Sequence, residues 1–304
     1  MKKKIFDRRD FLKLSGMGVG TVFASGLGFP NLLNTRKACA GGGENDFYFL
    51  QLSDTHWGFE GPKVNPEAKT TLKKTIQTVN NLQFQPDFIV FTGDLTHTTD
   101  DDKERRKRLK EFKEIVSDLK VKDVKFLPGE HDASLDEGEA YKEFFGETHY
   151  VFTHKGIHFI ALDNVSDPTG NVGEEQRNWL KGQLAKFSED APIVILTHRP
   201  LFDLMPDWDW ATKDGKQVVD LLMPYKNVVI FYGHIHQENH HMTGHIAHHS
   251  AKGLMFPLPA PGSVPKKAPI PWDPVHPFKG LGFRSVEEEK SKVTEIKEWP
   301  VVKG

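Results

Sequence analysis

The hydrophobic positions of this chain form short apolar runs that alternate with stretches of helical period. Runs of strand length lie at 47–52, 87–91, 124–127, 157–162, 193–196 and 228–232. Apolar residues recur every three or four positions over 68–82, 103–120 and 174–187, which predicts amphipathic helices between the strands. Alternation of this kind is typical of a sheet covered by helices. Because no linker divides the pattern, the sequence predicts a single α/β domain.

Turn residues refine this prediction. Asn65-Pro66 predicts the start of the first helix, with Asn65 as its cap and Pro66 in its first turn. Lys155-Gly156 and Thr243-Gly244 each predict the turn of a hairpin. Residues 283–297 predict a closing hairpin, whereas the proline-rich segment 256–277 predicts an irregular covering segment.

The N-terminal residues have the character of an export signal. Basic residues precede an uncharged, glycine-rich stretch over 14–29, and Ala38-Cys39-Ala40 offers a small-residue cleavage site. The run Arg8-Arg9-Asp10-Phe11-Leu12-Lys13 resembles a twin-arginine signal. We therefore expect a signal peptide over 1–40, the twin-arginine export machinery as a partner, a periplasmic location, and a mature domain over 41–304. The alternatives are a retained membrane anchor and an ordinary amphipathic N-terminus.

Charge and cysteine content exclude several functions. The net charge of the 304 residues is −2. The first forty residues carry eight basic and two acidic side chains, so 32 basic residues face 40 acidic ones in the mature domain. The mature domain therefore has no excess of positive charge with which to bind DNA or RNA. A nucleotide could still be its substrate. The single cysteine, Cys39, excludes an internal disulfide and a cysteine-based zinc site.

Polar residues directly follow five of the expected strands. They are Asp54, Asp94, His131, His198 and His234. Because reactive groups gather at the carboxyl ends of strands in α/β sheets, these side chains are expected to converge. Asp54-x-His56 and His234-x-His236 each place two side chains on one side of an extended segment. Carboxylates and imidazoles without thiols suit Fe, Mn, Zn or Co.

The order of these motifs resembles the calcineurin-like metallophosphoesterases. The matching blocks are Asp54-Thr55-His56, Gly93-Asp94, Gly129-Glu130-His131-Asp132, His198 and Gly233-His234-Ile235-His236. The resemblance covers a motif core of roughly 46–250. It implies a four-layer α/β/β/α sandwich with two metal ions at one edge of the sheets.

The resemblance also implies a role for each matching residue. Asp54, His56 and His236 would hold the first metal, Asp94 would bridge both metals, and Glu130, His198 and His234 would hold the second. Two ions would neutralise a phosphoester and generate a metal-bound hydroxide that attacks it. His131 would protonate the leaving oxygen or stabilise the transition state, and Asp132 would orient His131.

Two positions depart from the family pattern. Glu130 stands where the family has Asn, and the added negative charge favours a harder cation, which leads us to expect an iron-containing pair. A divalent pair of Mn or Zn is the alternative. His97 stands where protein phosphatases carry Asp, which argues against that branch. We expect His97 and Arg199 to contact the substrate.

Two aromatic and histidine-rich segments allow two interpretations each. The histidines between His240 and His249 either line the rim of the site or lie on a solvated hairpin. Trp208 and Trp210 either stack on a substrate or pack on the fold.

The sequence thus predicts an exported, dinuclear metallohydrolase of small-molecule phosphomonoesters or phosphodiesters. A cyclic-nucleotide phosphodiesterase is the alternative within the same enzyme class. A non-catalytic periplasmic metal-binding protein is the alternative from another class.

Overall fold

Two mixed β-sheets pack face to face in the computed structural model, which describes residues 46–289 and 292–301. The expected signal peptide over 1–40 lies outside these residues. The first sheet has the strand order β11-β10-β1-β2-β3 and the second has the order β4-β5-β6-β7-β9-β8. Strands β1, β2 and β3 run parallel, as do β5, β6, β7 and β9. Their carboxyl ends therefore point towards one edge of each sheet.

The strands follow the apolar runs closely. The first sheet contains β1 (Phe47–Leu52), β2 (Phe88–Thr92), β3 (Val124–Leu127), β10 (Gly282–Glu289) and β11 (Lys292–Pro300). The second contains β4 (Tyr150–His154), β5 (Ile157–Ala161), β6 (Pro192–Leu196), β7 (Asn227–Tyr232), β8 (Asn239–Thr243) and β9 (Ile246–Ser250). All three expected hairpins are present, namely β4–β5, β8–β9 and β10–β11.

Helices cover the outer faces of both sheets. They are α1 (Ala68–Asn80), α2 (Asp102–Val116), α3 (Glu130–Ala133), α4 (Glu139–Phe145), α5 (Glu174–Leu184) and α6 (Gly215–Leu222). Leu72 and Ile76 of α1 pack with Leu50 of β1 on the outer face of the first sheet. Leu180 of α5 and Val218 of α6 pack against the outer face of the second. This arrangement confirms the expected α/β/β/α sandwich.

An aromatic core joins the two sheets. Phe49 of β1 stacks on Phe88 of β2, with ring centroids 5.0 Å apart and planes 6° apart. Phe159 and Phe231 of the second sheet meet the Phe49 ring edge-on. Edge-to-face and offset-stacked pairs of this kind add stability beyond the burial of apolar area. The core therefore fixes the two sheets, and hence their carboxyl ends, relative to each other.

The structure corrects several element boundaries. The first helix begins at Ala68 with Glu67 as its N-cap, so Asn65 and Pro66 precede the helix. Asn65 instead accepts the backbone N–H of Glu67 through its side-chain oxygen. The second helix ends at Val116, not Lys120, and the third ends at Leu184, not Phe187. The pattern also missed three short helices: α3, α4 and α6.

The segment after Ser250 is irregular up to β10, as its proline content predicts. Among the described residues, no helix has both the length and the apolar character that a membrane span requires.

Candidate metal centre

The candidate ligands lie just beyond the carboxyl ends of five parallel strands from both sheets. Asp54 follows β1, Asp94 follows β2 and Glu130 follows β3, each within three residues of the strand end. His198 follows β6 and His234 follows β7 in the same way. Because the sheets face each other, their strand ends meet at one edge of the sandwich. This is the convergence that the sequence predicted.

The backbone at this edge turns sharply at the ligands themselves. Positive φ angles occur at five of the candidate ligands: Asp54, His56, Asp94, His234 and His236. Left-handed backbone is unfavourable for residues with a Cβ, and it is concentrated at functional sites. The N–H of Asp54 donates to the Gly93 carbonyl and the N–H of His56 donates to the Asp94 carbonyl, at 3.0 and 2.9 Å. These bonds hold the two strained turns against each other.

The first group of candidate ligands consists of Asp54, His56, Asp94 and His236, all buried. Their inward-facing atoms lie within 4.8 Å of one another. His56 Nε2 is 3.1 Å from His236 Nε2 and 3.5 Å from Asp94 Oδ2. Asp54 Oδ1 is 3.3 Å from His236 Nε2. Two carboxylates and two imidazoles therefore converge on one point.

The second group consists of Asp94, Glu130, His198 and His234. Glu130 Oε2 lies 2.9 Å from His198 Nε2, and Glu130 Oε1 lies 3.0 Å from His234 Nδ1. Asp94 Oδ2 lies 3.4 Å from His198 Nε2. Asp94 belongs to both groups, so its carboxylate stands between two potential cation positions.

Backbone carbonyls fix the outward nitrogen of three of the four imidazoles. His198 Nδ1 donates to the Thr92 carbonyl and His236 Nδ1 donates to the Phe256 carbonyl, both at 2.6 Å. His234 uses the opposite nitrogen, with Nε2 donating to the Asp209 carbonyl at 2.8 Å. Each of these protons leaves the lone pair of the other nitrogen directed into the site. Imidazoles held in this way are typical of metal ligands.

The inward atoms fit a pair of cations. Glu130 Oε2, His198 Nε2 and His234 Nδ1 are buried and make no hydrogen bond, because each of these inward atoms offers only a lone pair when the ring protons lie on the outward nitrogens. Buried polar atoms without a partner are costly in proteins. An all-oxygen-and-nitrogen donor set with four imidazoles suits Fe, Mn, Zn or Co. The residues therefore fit the two metal ions that the sequence predicted, with each ligand role remaining a prediction.

Charge within the cluster shifts the ionisation of its members. Burial and Glu130 would raise the pKa of Asp94, but the imidazoles of His131, His198 and His56 outweigh them and hold it below its ordinary range. Burial would lower the pKa of His198, but Asp94 and Glu130 raise it well above the ordinary value. The lowered pKa of Asp94 keeps its carboxylate negative, and the raised pKa of His198 reflects the same negative charge. The cluster of candidate ligands therefore attracts cations.

His131 presents one defined nitrogen to the site. The backbone N–H of Thr98 donates to His131 Nδ1 at 3.1 Å, so the ring proton lies on Nε2. Nε2 lies 3.9 Å from Asp94 Oδ2, at the edge of the candidate ligands. His131 is thus placed to donate a hydrogen bond from Nε2 to a bound substrate.

The hydrogen bonds of Asp132 differ from those that the expected role implies. Its carboxylate accepts the backbone N–H groups of Leu95, Thr96 and Gly129, and the Thr96 hydroxyl, at 2.8 to 2.9 Å. These bonds connect the turn after β2 with the turn after β3. Asp132 therefore braces the loop that carries Asp94, where the sequence had it orient His131. Burial, together with the nearby Asp94, raises the pKa of Asp132 to about 6.

His97 lies behind the ligand His56. His97 Nδ1 is 3.4 Å from His56 Nδ1, and the His97 ring stacks on His131 with centroids 5.0 Å apart. If His56 binds a metal through Nε2, its proton lies on Nδ1 and is donated to His97. Burial, followed by the charge of His131, lowers the pKa of His97 to about 4. The expected substrate contact of His97 stays a prediction, whereas its contact with His56 is direct.

Arg199 lies beside Glu130 and is held by the loop before α6. Its Nη1 and Nη2 contact the Asp209 carboxylate at 3.0 and 2.8 Å, and its Nε is 3.9 Å from Glu130 Oε2. Its guanidinium therefore offsets part of the charge that Glu130 adds to the site.

Two further residues support the site without having been predicted. Asn164 accepts the N–H groups of His198 and Arg199 through its side-chain oxygen, at 3.3 and 3.2 Å. It follows β5, so the strand-end rule that found the ligands would also have found it. Phe256 stacks on His56 and His236, with planes 21° and 25° apart. It lies in the irregular segment, where the sequence has no periodic signal.

The two ambiguous segments are placed in different ways. Trp208 and Trp210 are buried against Tyr232 and Ile235, which favours packing on the fold. The histidines of β8 and β9 pair with each other, with His240 Nδ1 2.6 Å from His249 Nδ1. A third group of candidate ligands consists of His56, His97 and His131. None of the three groups found among the described residues includes the histidines of this hairpin.

Comparison with known proteins gives consistent results. A family model described as calcineurin-like phosphoesterase matches residues 47–238. A relative from Arcobacter nitrofigilis, named probable glycerophosphodiester phosphodiesterase GpdQ, is 30% identical over 202 residues. That alignment covers 62% of this chain and 71% of the relative. The serine/threonine-protein phosphatase CPPED1 of Danio rerio is 26% identical over 219 residues, with 63% and 70% covered.

The solved structure of a dimetal phosphatase from Danio rerio shares the fold. It superposes with a TM-score of 0.55 at 13% identity and covers 85% of this chain and 99% of that chain.

We predict that His97→Ala weakens metal binding about 10- to 100-fold, because His56 loses the partner that holds its ring. The measurement is metal retained per chain across a series of chelator concentrations. His276→Ala is the matched control, since His276 is exposed and pairs only with Asp273 on the covering segment. Retention by His97→Ala equal to that of the control would contradict this assignment.

Proposed function

The chain belongs to the calcineurin-like phosphoesterase family, and we propose that it hydrolyses small-molecule phosphodiesters at a centre of two metal ions. The observation that carries this proposal is the pair of overlapping ligand groups that share Asp94, with His131 beside them. A metal-storage protein would need the two ligand groups. It would have no need of His131, which belongs to neither of these groups and directs its Nε2–H at the site.

We assign the candidate ligands to the two ions in the way that the family resemblance implies. Asp54, His56 and His236 would hold one ion, Glu130, His198 and His234 the other, and Asp94 both. When bound, such a pair neutralises phosphate oxygens and activates water as a nucleophile. The strained turns and the carbonyl partners of the imidazoles keep these side chains in place before substrate arrives.

His131 would donate a hydrogen bond to the leaving oxygen. Its Nδ1 accepts the Thr98 N–H, so a proton added at Nδ1 would break that bond. His131 therefore works as a neutral ring with its proton on Nε2, and it stabilises the charge that develops on the ester oxygen by a hydrogen bond from Nε2. Arg199, beside Glu130, would bind another phosphate oxygen.

Two facts favour diesters over monoesters. The relative of 30% identity is named a glycerophosphodiester phosphodiesterase, whereas the one named a phosphatase is 26% identical. Glu130 also adds a third carboxylate to Asp54 and Asp94, which lowers the positive charge available for a dianionic monoester more than for a monoanionic diester.

We predict that the metal-loaded protein hydrolyses bis(p-nitrophenyl) phosphate with a higher kcat/KM than p-nitrophenyl phosphate. His131→Ala should lower kcat about 100- to 10,000-fold while metal content stays unchanged. His276→Ala again serves as the control. Preference for the monoester would contradict the diester proposal. No turnover by the wild type on either compound, or on a cyclic nucleotide, would favour a metal-binding protein without catalysis.

We also propose that the two ions include iron, as Fe(III) beside Fe(II), Mn(II) or Zn(II). Replacing the family's Asn by Glu130 adds one negative charge, and one trivalent ion restores the net charge of an Asn site with two divalent ions. The nearby Arg199 guanidinium competes with this effect by offsetting part of the same charge.

The expected result is that protein isolated from its own host contains iron, and that Glu130→Asn shifts metal preference towards two divalent ions while retaining activity. The measurement is metal analysis of the wild type and of Glu130→Asn, each purified both aerobically and anaerobically. Full activity with Mn(II) or Zn(II) alone and no iron in either preparation would rule out the iron proposal.

We propose that the twin-arginine machinery exports the protein to the periplasm. The support is the run from Arg8 to Lys13 and the uncharged stretch that follows it. Replacing Arg8-Arg9 by Lys-Lys should leave the protein in the cytoplasm, as measured by cell fractionation. Unchanged export of that variant would exclude this route.

A further inference from the structure

A small apolar cluster lies directly beside the candidate metal centre. It contains three buried residues, Ala68, Met255 and Phe256, and three partly buried ones, Phe59, Val64 and Leu258. These residues come from the loop after His56, from the first turn of α1 and from the start of the covering segment. Apolar side chains that stay partly exposed next to a few polar groups are typical of small-molecule sites.

Phe256 joins this cluster to two of the candidate ligands. Its ring stacks on His236 with centroids 4.6 Å apart, and on His56 with centroids 5.0 Å apart. Its carbonyl accepts the Nδ1–H of His236 at 2.6 Å. The cluster therefore contacts the centre on the side of the first ligand group.

Phe59 extends this contact towards the surface. Its ring centroid lies 5.1 Å from that of Phe256 and 5.1 Å from that of His97, and it meets His97 edge-on at 89°. The Phe59 N–H donates to the His56 carbonyl at 2.9 Å. Gly61 makes room for the ring, because a Cβ at that position would lie 2.4 Å from Phe59 Cζ. Packing therefore holds the ring in place, while part of its surface stays exposed.

His97 connects Phe59 with His131. The His97 ring stacks on His131 with centroids 5.0 Å apart and planes 26° apart. Phe59 thus lies two ring contacts away from the histidine whose Nε2 is placed to contact the ester oxygen. An ester group of about the size of an aromatic ring can span that separation.

The opposite side of the centre is charged. Arg199 Nε lies 3.9 Å from Glu130 Oε2 of the second ligand group, and the Asp209 carboxylate holds the Arg199 guanidinium. The centre therefore has a cationic group beside one ligand group and an apolar cluster beside the other. A phosphodiester has the same division, with an anionic phosphoryl group and an ester group that can be apolar.

We propose that Phe59, together with Val64 and Leu258, forms an apolar wall that binds an aromatic or other hydrophobic ester group of the substrate. The substrate class is then a phosphodiester with at least one hydrophobic alcohol group. This inference deepens the proposed function and depends on it for the reaction. No motif or periodic pattern of the sequence singles out Phe59, which lies between the Asp54-x-His56 motif and α1.

The expected effect follows from apolar burial and ring geometry. Covering one face of a substrate ring removes apolar surface from water, and a stacked or edge-on contact with Phe59 adds to that gain. Together they are expected to strengthen binding of an aromatic ligand about tenfold over a methyl analogue of equal charge.

The test compares Phe59→Gln and Phe59→Leu with the wild type, as full-length, metal-loaded protein. The probes are phenylphosphonate and methylphosphonate, titrated calorimetrically at a pH at which both are dianions, because their P–C bond is not hydrolysed as an ester is. Phe187→Gln is the matched control, since Phe187 is also a partly buried ring but stacks on His158 at the outer face of the second sheet.

We expect the wild type and Phe187→Gln to bind phenylphosphonate about tenfold more tightly than methylphosphonate. Phe59→Gln should lose this preference while its metal content and its affinity for methylphosphonate stay unchanged. Phe59→Leu should keep most of the preference, because Leu and Gln are similar in size but only Leu is apolar. The KM of Phe59→Gln for bis(p-nitrophenyl) phosphate should rise about tenfold, with kcat changed little.

An equal preference for phenylphosphonate in Phe59→Gln and the wild type would overturn the apolar wall. Equal loss in Phe59→Gln and Phe59→Leu would also overturn it, because the effect would then not depend on apolar character. Failure of the proposed function is a separate result: the wild type would turn over no phosphoester, while the titrations would still show whether Phe59 binds the phenyl group.

Discussion

Three carboxylates converge at one edge of the sandwich, and the surrounding structure depends on offsetting their charge. Asp54 and Asp94 are buried, and Glu130 is largely withdrawn from solvent. Burying like charges together is costly unless positive groups or metal ions lie between them. Four imidazoles share this space with them, and the backbone carbonyls of Thr92, Phe256 and Asp209 hold three of those rings with a lone pair facing inward. Bound metal ions would make this arrangement favourable.

Packing makes the required geometry possible. The aromatic core between the sheets brings the ends of β1, β2, β6 and β7 together, and the ligands leave those ends in strained, left-handed turns. Gly93 shows how little room is left. It has a φ of +95°, and a Cβ there would lie 2.2 Å from His198 Nδ1. The strain is held by bonds between turns, among them those of the Asp132 carboxylate, so the fold keeps the ligands in place without help from substrate.

The sequence predicts the parts of this site that follow from local rules. Apolar runs predict the strands, and polar residues at their ends predict Asp54, Asp94, His198 and His234. No local pattern of the sequence predicts residues that reach the site from distant, irregular parts of the chain. Phe256 lies in an irregular segment, and it reaches the site through its ring contacts with His56 and His236 and through the hydrogen bond that its carbonyl accepts from His236. Asp132 shows a second limit, because its position in a motif predicted an orienting role while its hydrogen bonds give it a bracing one. Short helices such as α6 were missed because eight residues are too few for a clear period.

Asp94 belongs to both ligand groups, so a bridging role for its carboxylate can be tested by counting the metal ions bound per chain. Metal analysis of wild-type protein should give two ions per chain after equilibration with excess metal and desalting. Asp94→Ala should bind at most one, because a single side chain has been removed from both ligand groups. Asp220→Ala, on the exposed face of α6, is the control and should bind two. Two tightly bound ions in Asp94→Ala would show that Asp94 does not bridge the two metal positions.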